Sequence, residues 1–235
     1  VASIFVNPLQ FGPKEDFGRY PRTFEQDCAL LDNEGVDIVF APTAEEMYPV
    51  PMQTIVDVPE IGSRLDGMSR PGHFRGVATV VSKLFNIVQP DRAFFGQKDA
   101  AQITVLRAMV RDLNYDLELV VCPTVRESNG LALSSRNRYL SLDERTIALA
   151  LAYSLERVKQ AVVDGERSTE RLRQILHDEL TLSDSVRMEY AEIVDPDTLE
   201  TLEAVRSTAL VAVAAYVGST RLIDNCIVHT QDVIR

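Results

Sequence analysis

Residues 90–102 read PDRAFFGQKDAAQ, and the fold turns on how they are read. An apolar run at 93–95 is predicted as a strand, Gly96 permits a tight turn, and Lys98-Asp99 opens a helix extending to about residue 113. The same unit recurs on both sides. Upstream, 76–88 is predicted helical, with Val77, Val80, Val81, Leu84 and Val88 on one face. Downstream, 117–121 is the next strand. Nearer the N terminus, strands are expected at 1–6, 36–40 and 54–58. Between the first two, Thr23-Phe-Glu-Gln26 has capping-box spacing for a helix that Gly35 stops. Strands alternating with helices of this length imply right-handed crossovers and a parallel sheet, an α/β domain over 1–124.

From 125 to 235 the pattern changes. Ser141-Leu-Asp-Glu144 is a second capping box, opening a helix with Ile147, Leu151, Leu155, Val158 and Val162 on its buried face. Another helix is expected at 168–180. Three strand-like runs follow, VRMEYAEIV, TALVAVAAYV and TRLIDNCIV, the last two joined by Gly218-Ser219, a two-residue hairpin signal. This is a small α+β domain, with the boundary placed at 124/125.

Composition narrows the function. A hydrophobic fraction of 46% with 25% charged residues is that of a globular protein. The longest apolar run, 209–217, is too short to span a bilayer. A net charge of −11 argues against general nucleic-acid binding, which needs a basic face. A phosphate site must therefore be a local positive island. Residues 62–83 offer one, with Arg64, Arg70, Arg75 and Lys83 against Asp66; a solvated charged loop is the preferred reading of composition alone. The three cysteines have no CxxC spacing, which favours reduced thiols and a cytoplasmic setting.

Ligands of parallel α/β sheets gather at the carboxyl ends of strands. Three stretches fall there: VNPLQFG (6–12), FFGQKDAAQ (94–102) and PTVRESNGLALSSRNRYL (123–140). In the second, a helix start plus Lys98 makes an anion site; a turn with an exposed Lys is the plainer account. In the third, Ser134, Ser135 and Arg136 supply two hydroxyls and a guanidinium, which suit a polyphosphate. A helix-capping serine pair with a surface Arg is its plainer account. There is no GxxxxGK[ST], GxGxxG or GxSxG. His73, His177 and His229 lack metal-ligand spacing, and only His73, inside the Arg-rich island, is a functional candidate.

These stretches, in this order and joined by PGHFRGVATVVSKLFNIVQPDRAFFGQKD, closely resemble the pantothenate synthetase (pantoate–β-alanine ligase) family. The likeness is densest at 3–22, 70–102 and 123–140. It implies a Rossmann-like, nucleotidyltransferase-type domain and a C-terminal domain that closes over the active site. It also implies an AMP-forming ligase of pantoate and β-alanine that uses ATP and Mg²⁺, works as a cytoplasmic homodimer, and binds neither nucleic acid nor membrane.

Position by position, Gly96, Gln97, Lys98, Asp99, Val125, Leu133, Ser134, Ser135 and Arg136 correspond to ATP-binding positions. Of these, Lys98, Ser134, Ser135 and Arg136 carry the catalytic roles. Gln10 and Gln102 correspond to the pantoate-binding glutamines beside the β-alanine position, and Asn7 shapes that pocket. Arg70 and His73 are possible pocket residues, Asp27 a possible metal-linked acid, and 12–20 a mobile flap. Gln97 stands where Glu is usual, Ala100-Ala101 replaces an aromatic-Gln pair, and Leu133 stands for Met. The family's HxGH motif, with the first strand and helix that precede the present Val1, is absent from these residues. Impaired turnover of this exact chain is the expectation. A cytidylyltransferase of the same superfold and a non-catalytic pantoate-binding remnant are the competing readings.

Overall fold

A computed structural model describes residues 1–13 and 15–230. Packing groups the chain into two compact units, Val1–Arg92 with Ala108–Glu118, and Ala93–Arg107 with Leu119–Arg235.

In the first unit, β1 (Ala2–Ser3) pairs in parallel with β2 (Val39–Phe40), with α1 (Phe24–Asn33) as the crossover. Backbone bonds from Ala2 N to Ile38 O (2.9 Å) and from Ile4 N to Phe40 O (3.0 Å) hold the pair. Both strands are shorter than the sequence suggests; beyond β1, the Asn7 cap and Pro8 turn the chain into a 3₁₀ turn. Thr23 does not cap α1; its hydroxyl donates to the Asp27 carboxylate instead. Thr43 does cap the short α2 (Ala44–Met47) through a complete capping box with Glu46. Residues 54–58 form no strand. Val56 is instead tied to Thr79, whose Oγ1 accepts from Val56 N at 3.1 Å and donates to Val56 O at 3.2 Å. One hydroxyl thus does for the extended segment what a neighbouring strand would.

A single turn, α3 (Asp66–Ser69), precedes α4 (His73–Val88). The longer helix starts ahead of residue 76 because Gly72, at φ +83°, turns the chain into it. Val77, Val80, Val81 and Phe85 form its buried face.

In the second unit, β3 (Arg92–Gly96) and β4 (Glu118–Cys122) are hydrogen-bonded neighbours. A 3₁₀ turn, Gln97–Asp99, leads from β3 directly into α5 (Ala100–Asp112). Both halves of the Ser141–Glu144 capping box are present on α6 (Leu142–Val163), and Ser168 caps α7 (Thr169–Leu180). These helices pack on an antiparallel sheet of β5 (Val186–Val194), β6 (Thr208–Val217) and β7 (Thr220–His229), in that order. Nearly every residue of β6 is buried, as its unbroken apolar run requires of a strand covered on both faces. Gly218 closes the β6–β7 hairpin at φ +56°, and a Cβ there would come within 2.0 Å of Glu144 Oε1. One continuous apolar core, drawn only from residues between Leu131 and Val228, holds the helices to this sheet.

Candidate active site

In the first unit the VNPLQFG stretch is shaped by Asn7, whose residue is almost fully buried. Its Nδ2 donates to Gly76 O (3.0 Å) and to Gln10 Oε1 (3.2 Å). Its Oδ1 accepts from Tyr48 Oη (2.9 Å) and Leu9 N (3.2 Å). Both N–H bonds and both lone pairs are therefore spent inside the protein. Burial pushes the Tyr48 phenol up to about 12, so it stays a donor to Asn7 through the neutral range. Asn7 thus serves Gln10 rather than a ligand directly.

Gln10 is held from its main chain as well. His73 lies with Nδ1 2.8 Å from Gln10 O and Nε2 3.0 Å from an Arg70 Nη. A carbonyl only accepts and a guanidinium only donates, so the ring must be neutral with its proton on Nδ1. Its environment agrees: burial first, then the Arg70 charge, brings the His73 pKa down to about 4. Arg70 grips Glu15 with two bonds (2.9 and 2.6 Å) and reaches Gln10 O at 3.3 Å. Burial alone would raise Glu15, but hydrogen bonding to Arg70 and the Arg70 charge outweigh it and hold the carboxyl low. The expected positive island is therefore not one site. Arg70 is neutralised by Glu15 from the 12–20 segment, while Lys83 lies over the Tyr48 ring at 5.8 Å.

Gly76 completes this cluster. A Cβ on it would stand 2.3 Å from Leu9 O and 2.8 Å from Gln10 N, so α4 approaches the Pro8–Gln10 turn as closely as a glycine allows.

In the second unit the GQKD turn is fixed by Asn225 of β7. Asn225 Nδ2 donates to Gln97 O (3.0 Å) and Lys98 O (2.7 Å), and its Oδ1 accepts from Gln97 Nε2 (3.0 Å). Gly96 has an ordinary extended backbone, φ −77° and ψ 132°, so the turn does not depend on glycine's conformational freedom. Nothing lies within 4 Å of where its Cβ would be, which leaves the backbone there open. Lys98 Nζ is 3.3 Å from Asp99 Oδ1. Gln102, next along α5, is half-buried.

The 123–140 stretch folds back on itself through Leu133 N donating to Val125 O and Glu127 N donating to Leu131 O (2.9 and 2.8 Å). Val125 and Leu133 are 65% and 56% exposed, apolar side chains turned to solvent at one end of the arm. Ser134 caps the 3₁₀ turn Ser135–Tyr139 by accepting from Arg136 N at 3.3 Å. Ser135 is exposed and Arg136 half-buried. Buried Asn137 pins the arm by donating to Ala132 O and Glu127 Oε1, and Arg145 pairs with Glu127. Arg126 adds a two-bond grip on Asp224 of β7, at 2.7 and 2.9 Å. Both 3₁₀ turns, Gln97–Asp99 and Ser135–Tyr139, pack on β7.

The structure thus gathers Asn7, Gln10, Arg70 and His73 in one cluster, and seats Gly96, Gln97, Lys98 and Asp99 on the strand that also receives the arm bearing Ser134, Ser135 and Arg136. Asp27 lies outside both clusters, with both carboxylate oxygens accepting from Thr23 (3.1 and 3.2 Å). Among the described residues there is no group of three His, Cys, Asp or Glu side chains able to cage a metal. Glu15, Tyr48, Arg126, Asn137, Asp224 and Asn225 were not foreseen. The last two had a signal: a polar pair set inside the apolar stretch Leu222–Val228 of the terminal strand.

The sequence matches the family described as pantoate-beta-alanine ligase over residues 1–227. A pantothenate synthetase of Acidobacterium capsulatum is 62% identical over 96% of this chain and 75% of its own length. One from Thermotoga petrophila is 56% identical over 97% of this chain and 81% of its own. Among solved structures, pantothenate synthetase from Thermus thermophilus superposes with a TM-score of 0.93 at 47% identity, covering 96% of this chain and 82% of that one. A pantoate-beta-alanine ligase from Francisella tularensis, described as complexed with beta-gamma ATP and beta-alanine, has a TM-score of 0.75 at 32% identity, over 95% of this chain and 77% of that one. The fold is accordingly the Rossmann-like, nucleotidyltransferase type with a small C-terminal α+β domain. With that agreement across nearly the whole sequence, the chain belongs to the pantoate–β-alanine ligase family.

Proposed function

We propose that the chain joins pantoate to β-alanine at the expense of ATP by way of a pantoyl adenylate. A pantoate carboxylate oxygen attacks the α-phosphorus and the bond to pyrophosphate breaks. The β-alanine amine then attacks the acyl carbon, AMP leaves with the bonding pair, and the amine gives up a proton. Phosphoryl transfer leaves the protein little covalent work, so alignment and charge stabilisation carry the rate.

Residue roles follow from chemistry. Lys98, Ser134, Ser135 and Arg136 hold the phosphates as negative charge moves onto the leaving group. The open backbone at Gly96, the turn residues Gln97 and Asp99, and the exposed Val125 and Leu133 border the nucleotide. Gln10 and Gln102 orient pantoate through neutral amides that do not compete with its carboxylate, and Asn7, Arg70 and His73 keep Gln10 in place. Mg²⁺ would be held by phosphate oxygens and water, without Asp27, whose carboxylate accepts from Thr23 outside both clusters, and when bound it would neutralise phosphate charge. A cytoplasmic homodimer is part of the same reading.

The single observation that supports it most is that the Lys98 turn and the Ser134 arm are anchored on one strand, at neighbouring residues. Titration calorimetry tests it: ATP and pantoate should each give a binding heat and CTP should not. A preference for CTP would make the chain a cytidylyltransferase, and pantoate binding without any response to ATP would make it a remnant. We further propose that a polypeptide of these 235 residues alone makes little pantothenate, since no HxGH occurs in it. Rapid ATP-dependent pantothenate formation by that polypeptide would overturn this part.

A further inference from the structure

Asp224 and Asn225 are consecutive on β7, yet they anchor two segments distant in sequence. Asn225 saturates its amide on the GQKD turn, giving both N–H bonds to Gln97 O and Lys98 O and taking one from Gln97 Nε2. Asp224 spends its carboxylate on the Arg126 guanidinium, and Oδ1 also accepts from Asn225 N at 2.8 Å. Arg126 in turn donates to Gly130 O at 3.0 Å, closing the base of the arm that leads to Ser134. Both β7 residues are buried, at 3% and 4% exposure, in a strand whose other buried residues are Leu222, Cys226, Val228 and, at its start, Thr220. Two buried polar side chains in such a strand cost desolvation unless their partners are fixed. Their partners here are the two candidate phosphate loops.

We infer that Asp224 and Asn225 are positioning residues that set the spacing between the Lys98 turn and the 126–136 arm. Neither need touch substrate. The anchors are one Cα step apart, about 3.8 Å, so the strand acts as a spacer that neither loop can slip along independently. Asn225 is the more direct of the two, because it holds the carbonyl of the very residue that carries the ammonium group. The proposal rests on the reading of that turn and arm as the ATP site.

The test uses the 235-residue chain with Asn225→Leu, which keeps the volume and removes the hydrogen bonds, and Asp224→Asn, which keeps the shape and removes the charge. Leu176→Ala, in the core of the same unit on α7, whose main packing partners are α6 and β5, serves as a control for stability lost without removing either loop anchor. Hydrogen exchange of the unliganded chain should show faster exchange at 96–100 in Asn225→Leu and at 126–136 in Asp224→Asn, with neither change in Leu176→Ala. Calorimetry should show ATP affinity falling at least tenfold in both β7 variants, with the control within about twofold of the parent. ATP affinity unchanged in the β7 variants, or reduced equally in the control, overturns the inference. A parent chain that shows no ATP binding, with local exchange changed as expected, would instead refute the ATP reading and reduce the pair to a structural clamp.

Discussion

The carbonyl oxygen of Leu9 lies 2.3 Å from where a Cβ on Gly76 would be, so α4 and the Pro8–Gln10 turn meet with no room for a methyl group. Gly76→Ala must push apart backbone, not a flexible side chain. The expected cost is about 1–3 kcal/mol of stability, together with a displaced Gln10 and weakened pantoate binding. Urea unfolding and pantoate calorimetry on the same variant check both, and wild-type values in each would show the close approach to be dispensable.

His73 gives a pH dependence with a definite sign. Its folded pKa is about 4, below the ordinary 6.5, so between these values the unfolded chain binds more protons than the native one. Stability carried by neutral His73 is therefore complete above about pH 6.5 and is lost as pH falls toward 4, by up to about 3 kcal/mol. The groups facing it are Arg70, Glu15 and Asp66. His73→Gln should flatten the denaturation midpoint between pH 4.5 and 7 relative to the parent; an identical slope in the two proteins would argue against the assignment.

Lys98→Ala removes the one full positive charge on the GQKD turn. Loss of a preorganised donor costs about 2.7–4 kcal/mol of barrier, so adenylate formation should drop by a hundredfold or more. Pyrophosphate release measured in an enzyme carrying HxGH upstream of this sequence reads that number directly. A drop of less than threefold would remove Lys98 from the mechanism.

We also propose 124/125 as a folding boundary, since among the described residues the apolar core beneath β5–β7 is drawn from those between Leu131 and Val228. A polypeptide of 125–235 should unfold in one cooperative thermal transition. Non-cooperative melting would mean that 93–107, which packs into the same unit, is needed for folding.

Much of this architecture could be read from residues alone, for local reasons. Ser141 and Glu144 form the predicted cap because that motif needs only its own backbone. Gly218-Ser219 makes the predicted hairpin because a two-residue loop fixes its own register. Where a competing side-chain partner decides, sequence was blind. Thr23 had the right spacing for a cap, yet its hydroxyl went to Asp27. Residues 54–58 read as a short strand, yet one Thr79 hydroxyl holds them. The site divides the same way. Its loops were visible as motifs at strand ends, but their anchors, Glu15 for Arg70 and Asn225 for Gln97, lie 55 and 128 residues away in sequence, a pairing only the fold creates.

Asn7 has a last implication for selectivity. By donating to Gln10 Oε1 it settles which way round that terminal amide is held, leaving the Gln10 NH₂ uncommitted among the described residues. On the role proposed for Gln10, a guest at this position would meet hydrogens, not lone pairs. That role then favours compounds presenting hydroxyl or carboxylate oxygens there over analogues carrying an ammonium group at the same place.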